Sequence, residues 1–150
     1  MNNKTGPNMV DKTGSWLEHP RFLDGDESRP FKVWYDTDHG CARFWARGSF
    51  NGADARRMNN VERELMDDLG KVHWLIEIGE CKFDAAARSV FADAGNDQRN
   101  DKLAFVGLPP PVRWILTLIA LFRGKGKKER QFAEGDVELA FAWFREAAGD

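Results

Sequence analysis

Only two cysteines, Cys41 and Cys81, occur in the 150 residues. Two are too few for a disulfide framework, and buried free thiols behave as small hydrophobes, so they read as reduced thiols of a cytoplasmic protein. Histidine is almost as scarce: His19, His39 and His73 are spread over an arm, a turn and a strand. No Cys-x-x-Cys or His-x-x-x-His spacing exists, so neither a metal centre nor a metal cofactor is expected. A P-loop, a nucleophile elbow and a dinucleotide glycine pattern are all missing. Gly124-Lys-Gly126-Lys-Lys lacks the phosphate-loop spacing and comes after a predicted helix instead of a strand. No apolar run is long enough to cross a bilayer. The longest, Val112 to Phe122, is interrupted by Arg113 and Thr117 and would reach about 17 Å as a helix, against a hydrocarbon core of about 30 Å. The first residues, Met1-Asn-Asn-Lys-Thr-Gly, have no apolar region of the kind a secretory signal needs. A net charge of -2 and a pI of about 5.9 argue against dedicated nucleic-acid binding.

Hydrophobic residues make up 42% and charged residues 31%, the balance of a soluble globular domain with its own core. Residues 1–30 are rich in Asn, Gly, Asp, Lys and Pro and show no period. They read as a loose N-terminal arm, which Trp16, Leu17, Phe22 and Leu23 could pin onto a domain spanning 31–150. Within the domain Phe31, Val33 and Tyr35 alternate onto one face, Asp38-His39-Gly40 is a turn signal, and Cys41–Arg47 resumes as a strand, which together predict an antiparallel hairpin. Asn51 or Asp54 can cap a helix to about Leu69, with Met58, Val61, Leu65 and Leu69 at helical spacing and Gly70 as its stop. Val72–Ile78 reads as a central strand and Asp84 as the cap of a helix from Ala85 to about Ala94. After a polar loop over 96–101, Leu103–Leu108 reads as a buried strand. Prolines 109–111 then suit the first turn of a helix over 112–122. A short strand at Glu129–Phe132 and a last helix capped by Asp136, with Val137, Ala140, Phe141, Phe144 and Ala147 spaced along it, complete the order β-β-α-β-α-β-α-β-α. Such alternation predicts an α/β domain with a mixed five-stranded sheet and four helices.

This order of elements resembles the SpoIIAA-like branch of the STAS superfamily, grouped with STAS/SEC14-type domains. The residues that carry the resemblance are the hairpin, the strand Val72–Ile78 with Phe83-Asp84-Ala85-Ala86-Ala87 after it, Leu103-Ala-Phe-Val-Gly107, and the closing Arg130-Gln-Phe132 and Ala140-Phe-Ala-Trp143-Phe144. The resemblance implies a small, non-enzymatic binding or regulatory module, with an association with membrane surfaces or apolar ligands proposed in that branch. Anti-sigma-factor antagonists of the superfamily carry Asp-Ser-Ser-Gly at the start of the second helix, where a phosphorylated Ser switches partner binding. The matching stretch here, Asp84-Ala85-Ala86-Ala87, keeps the Asp and lacks the hydroxyls. Ser89 should lie about a turn inside the helix. Asp84 reads most simply as an N-cap.

The segment that stands out is the apolar helix together with the basic cluster after it. On a helical wheel Arg113, Thr117 and Ala120 occupy one narrow side, and apolar residues cover the rest, far more than the stripe a helix needs to sit on a sheet. Next come Arg123, Lys125, Lys127, Lys128 and Arg130, with Glu129 the only acid among them, a local +4 that leaves the remainder of the chain at about -6. Three readings stay open: burial in the chain's own core, contact with a protein partner or a second copy, and docking on an anionic lipid surface or an apolar ligand. In the lipid reading Trp114, Ile115, Leu118, Leu121 and Phe122 are the apolar contacts, and Arg123, Lys125, Lys127 and Lys128 meet anionic headgroups. Two lesser candidates remain. Glu77, Glu80 and Asp84 fall near strand ends with Cys81, a place where a small catalytic site could form, although such acids are more often solvated or capping. Trp34, Trp45 and Trp74 lie in three strands, where they either fill the core or, if the first two face outward, make a binding platform.

Overall fold

The computed structural model describes residues 16, 21–22, 30–108 and 128–146. The alternation that opens the domain dictates its first element. Phe31 and Val33 point to one side of a strand and are fully buried, while Lys32 and Trp34 point to the other. This strand pairs antiparallel with the next, Cys41–Ala46, so that Val33 lies opposite Phe44 and Phe31 opposite Ala46. The connecting turn closes on Gly40, whose φ of 65° is a conformation other residues avoid.

The full order of strands is β1 (Arg21–Phe22), β2 (Phe31–Asp36), β3 (Cys41–Ala46), β4 (Gly48–Phe50), β5 (Val72–Glu77), β6 (Cys81–Phe83), β7 (Asn100–Val106) and β8 (Glu129–Phe132). Three α-helices are seen among the described residues: α1 (Gly52–Leu69), α2 (Ala85–Ala94) and α3 (Val137–Phe144). The main sheet is mixed and runs β1-β2-β3-β5-β7-β8, antiparallel over its first three strands and parallel from β3 onward. All five expected strands are in it. The sixth, β1, was hidden in the arm because two residues carry no period. A further parallel ladder joins β4 to β6, three residues each. The helix expected over 112–122 lies outside the described residues.

Local chemistry explains the helix ends. Asn51 and Asp54, alternative caps for α1 in the sequence, act together: the Asn51 side chain accepts the Asp54 N–H at 2.9 Å and the Asp54 carboxylate accepts the Asn51 N–H at 3.0 Å. Gly70, at φ 83°, stops α1. Asp84 caps α2 by accepting the Ala87 N–H at 2.8 Å. The expected cap of α3 is corrected. Asp136 makes no side-chain cap bond, because a 3-10 turn over Glu134–Asp136 brings the chain into the helix with Asp136 at φ -109° and ψ 28°, not in the extended conformation a cap adopts. Strand β7 also starts earlier than expected, at Asn100, whose Cα is in register with Val72.

Alternation sorts the core into two layers. One face of the sheet presents Phe31, Val33, Phe44, Trp74, Leu103 and Phe105, and the inward residues of α1 (Met58, Leu65, Met66) pack on it. Trp16 from the arm is buried in the same layer and donates its Nε1–H to Asp68 at 3.1 Å. The other face presents Cys41, Leu75, Ala104 and Val106 to Ala140, Phe141, Trp143 and Phe144 of α3. Each large side chain so buried contributes roughly 1.5–3 kcal/mol.

Candidate functional site

Parallel strands deliver their carboxyl ends to one edge of the sheet, where ligands gather in open α/β folds. Here β4 runs through Asn51 into α1 and β6 runs through Asp84 into α2. Because β4 and β6 are paired, the two helix N-termini stand side by side. A Cβ placed on Gly52 would come within 2.8 Å of the Ala86 Cβ, so the first turns of α1 and α2 touch through the smallest side chains. An open cleft of about 450 Å³ beside them is lined by Ser49, Phe50, Asn51, Asp54, Lys82, Phe83 and Asp84.

The chemistry of this cleft is that of capping. One Asp54 oxygen holds the Asn51 N–H and the other accepts from Arg57 at 2.7 Å. Asp84 holds the Ala87 N–H. Carboxylates thus already sit where a helix N-terminus attracts an anion. Of the expected partner-switch positions, Asp84 is this cap, and Ala85 and Ala86 are exposed on the first turn of α2 with no hydroxyl among them. Ser89 is exposed further along the helix.

The acids considered for catalysis go separate ways. Glu77 turns to the α3 face and is held by Arg43 at 2.8 Å. Glu80 is exposed in the turn before β6, and its carbonyl accepts the Gly48 N–H. Cys81 donates its thiol to the Ala46 carbonyl at 3.1 Å. Burial pushes that thiol, and that of Cys41, up to about 12, so neither is a ready nucleophile at neutral pH. Both cysteines are free and buried. Among the described residues no cluster of His, Cys, Asp and Glu could hold a metal ion.

The α3 face of the sheet carries a second candidate surface. Trp74 belongs to the core, but Trp34 and Trp45 lie on the opposite face, half-buried and outside both apolar clusters. Cross-strand register sets Trp34 beside Arg43 and Trp45 beside Lys32. The Arg43 guanidinium lies 5.1 Å from the Trp34 ring centre, and Lys32 and Arg47 lie 4.7 and 4.8 Å from that of Trp45. Arg43 also joins Asp36 at 3.2 Å to Glu77. Burial works to raise the Asp36 carboxyl, but hydrogen bonds and charge from His39, with help from Arg43, hold it below its usual range. Arg47 spends one nitrogen on the carbonyls of Ala46 and Glu77.

Of the expected lipid or partner contacts, Trp114, Ile115, Leu118, Leu121, Phe122, Arg123, Lys125 and Lys127 lie outside the described residues. Lys128 is exposed just before β8. Two features lie outside the sequence-based expectations. Glu62 sits at the centre of the inward stripe of α1, between Met58, Leu65, Met66 and Leu69. The residue keeps part of its surface, yet its Oε1 is sealed without a hydrogen-bond partner. Burial pushes this carboxyl up to about 8, with Arg63 pulling weakly the other way. Lys102, inside β7, donates its ammonium to the Trp143 and Glu146 carbonyls at 2.6 and 3.0 Å and so caps the end of α3. A helical wheel puts Glu62 on the inward face with Met58, Leu65 and Leu69 and so reveals it, whereas nothing local announces Lys102.

The mixed sheet, the paired helix N-termini and the helix on the far face define a SpoIIAA-like α/β module. An uncharacterized protein from the DUF3478 family of Shewanella loihica PV-4, described as having a SpoIIAA-like fold, superposes with a TM-score of 0.56 at 17% identity over 78% of this chain and 93% of that one. The SpoIIAA-like family model matches residues 42–145, so the chain belongs to the SpoIIAA-like family. No curated protein matches it. Family and fold suggest a non-enzymatic binding or regulatory module. Among the described residues no helix is long and apolar enough to cross a membrane.

Proposed function

We propose that this protein is a non-enzymatic binding module that docks reversibly on an anionic membrane surface or holds an apolar ligand. The observation that carries the reading is the sequence of the β7–β8 connection: an apolar run over 112–122 and directly after it Arg123, Lys125, Lys127 and Lys128. An apolar run beside several bases supplies the two signals that reversible docking requires, and each base near an anionic leaflet contributes about 1 kcal/mol. Trp114, Ile115, Leu118, Leu121 and Phe122 form the apolar side of the contact. The exposure of Lys128 supports it, as does the separation of Glu77, Cys81 and Asp84 by their own structural bonds. Reversing the four bases to Glu tests the reading. Co-sedimentation with anionic vesicles should be lost while the circular dichroism spectrum is kept, and unchanged binding would overturn it.

A second reading, a regulatory or dimerising protein-interaction module without lipid contact, is favoured by Trp34, Trp45, Arg43 and Arg47. Half-buried Trp and Arg side chains on a sheet face are the residue types that dominate protein interfaces. It predicts a stable dimer or complex on gel filtration, indifferent to vesicles. A monomer that captures no partner would count against it.

A further inference from the structure

Helix α3 has eight residues, too few to hold together in water on helix propensity alone. Its place depends on what the sheet offers it. Two histidines meet it flat: His39, from the β2–β3 turn, stacks on Phe141 with ring centres 3.8 Å apart, and His73, from β5, stacks on Phe144 at 5.0 Å and 3°. The helix end is tied by Lys102 through the Trp143 and Glu146 carbonyls, and the Lys102 and Arg130 cations lie against the Trp143 ring.

We propose that α3 is a proton-releasable cover over its face of the sheet: protonation of His73 unfastens the C-terminal turn, Phe144–Glu146.

The hydrogen bonds around His73 require the neutral ring. Its Nδ1 accepts the backbone N–H of Lys102 at 3.3 Å, which leaves the proton on Nε2. The ring also engages the Phe144 backbone at the end of α3. A proton added at Nδ1 sets two donors against each other, Nδ1–H and Lys102 N–H. The residue whose N–H is displaced is the one whose ammonium caps α3. From β7, Asp101 offers the nearest acceptor, 3.5 Å away, so the ring must turn to reach it and leave its stack on Phe144. Lys71 and Lys102 oppose the new charge, and Asp101 and the helix C-terminus favour it. Burial outweighs these attractions and holds the imidazole below its ordinary value, so the neutral form goes with the docked helix. His39 behaves differently. Its Nδ1 lies 2.8 Å from the Asp36 carboxylate, which accepts from the ring in either protonation state, so the Phe141 end stays fastened. Acid therefore opens the Phe144 end of α3, beside His73 and Lys102.

The test is amide hydrogen exchange on the full chain between pH 7.5 and 5, corrected for intrinsic rates, alongside NMR titration of the His73 ring. The expected result is a fall in protection at Phe144–Glu146 of about tenfold for each unit by which the His73 midpoint lies below its unfolded value, with the β5 and β7 amides other than Lys102 unchanged. In His73→Gln, which keeps a neutral acceptor, the pH dependence should vanish. Flat protection in the natural chain, a His73 midpoint at or above the ordinary value, or a loss that persists in His73→Gln would each overturn the proposal. Should the variant fail to fold, the ring titration and the Phe144 amide shift in the natural chain decide alone: a shared midpoint supports the clasp and separate midpoints overturn it.

Discussion

Glu62 shows how one side chain can work against the element that carries it. A carboxyl that titrates at about 8 in the fold and in the ordinary range when unfolded is neutral in the native protein at pH 7, while the unfolded chain gives its proton up. The unfolded state then binds fewer protons, so stability falls as pH rises from about 4.5 to about 8. Glu62→Gln removes this dependence. Because the residue keeps part of its surface, the gain should be modest, on the order of 1–2 kcal/mol at pH 8 and close to nothing near pH 4.5. Urea midpoints at the two pH values measure it, and a gain equal at both would contradict the assignment. Gly52 supplies a second residue-scale prediction. A methyl there meets the Ala86 Cβ at 2.8 Å, so Gly52→Ala should cost about 1–3 kcal/mol of stability by overpacking. Adding Ala86→Gly should recover much of that loss, and a double variant no better than the single would refute the contact.

At the scale of elements, caps and pins decide where helices stand. Asp84→Ala should lower stability by about 1 kcal/mol through the lost N-cap of α2, and equal denaturation midpoints would argue against the cap. Lys102→Met keeps the stem but removes the ammonium from the Trp143 and Glu146 carbonyls. Exchange at the last turn of α3 should rise several-fold, with little change in β7. These elements differ in how far the sequence announces them. The hairpin was legible because Phe31, Val33 and Tyr35 alternate across a turn that ends in glycine. α1 and α2 were legible because side-chain caps are local signals, written within three residues of the bonds they make. The β4–β6 ladder was not, since three residues carry no period and their pairing partner lies about thirty positions away. Asp136 was misread for the same reason that caps succeed elsewhere: the residue type was right, but the preceding turn, set by the chain's return from β8, put the backbone in the wrong conformation. Trp34 and Trp45 could be placed in strands but not on a face, because a strand with large residues on both sides does not say which one faces the helices.

For the molecule as a whole, two faces of one sheet have different characters. α1 and α2 cover one of them, with Trp16 of the arm fastened to Asp68. The other is covered by α3 over part of its area, and beside α3 runs the strip of Trp34, Arg43, Trp45 and Arg47. Of the acids that sequence placed near a common site, Glu77 is held by Arg43 and Asp84 caps α2, while Glu80 is exposed in the turn before β6. The sequence carries +4 over 123–130 against -6 in the remainder, and the docking proposed above rests on that uneven charge. Co-sedimentation of the full chain with anionic and neutral vesicles, at low and moderate salt, is the decisive measurement for docking. Binding to anionic vesicles alone is expected, weakened by salt and abolished when Arg123, Lys125, Lys127 and Lys128 are changed to Glu. Absence of binding to either vesicle, or binding that ignores both lipid charge and salt, would contradict docking on an anionic surface.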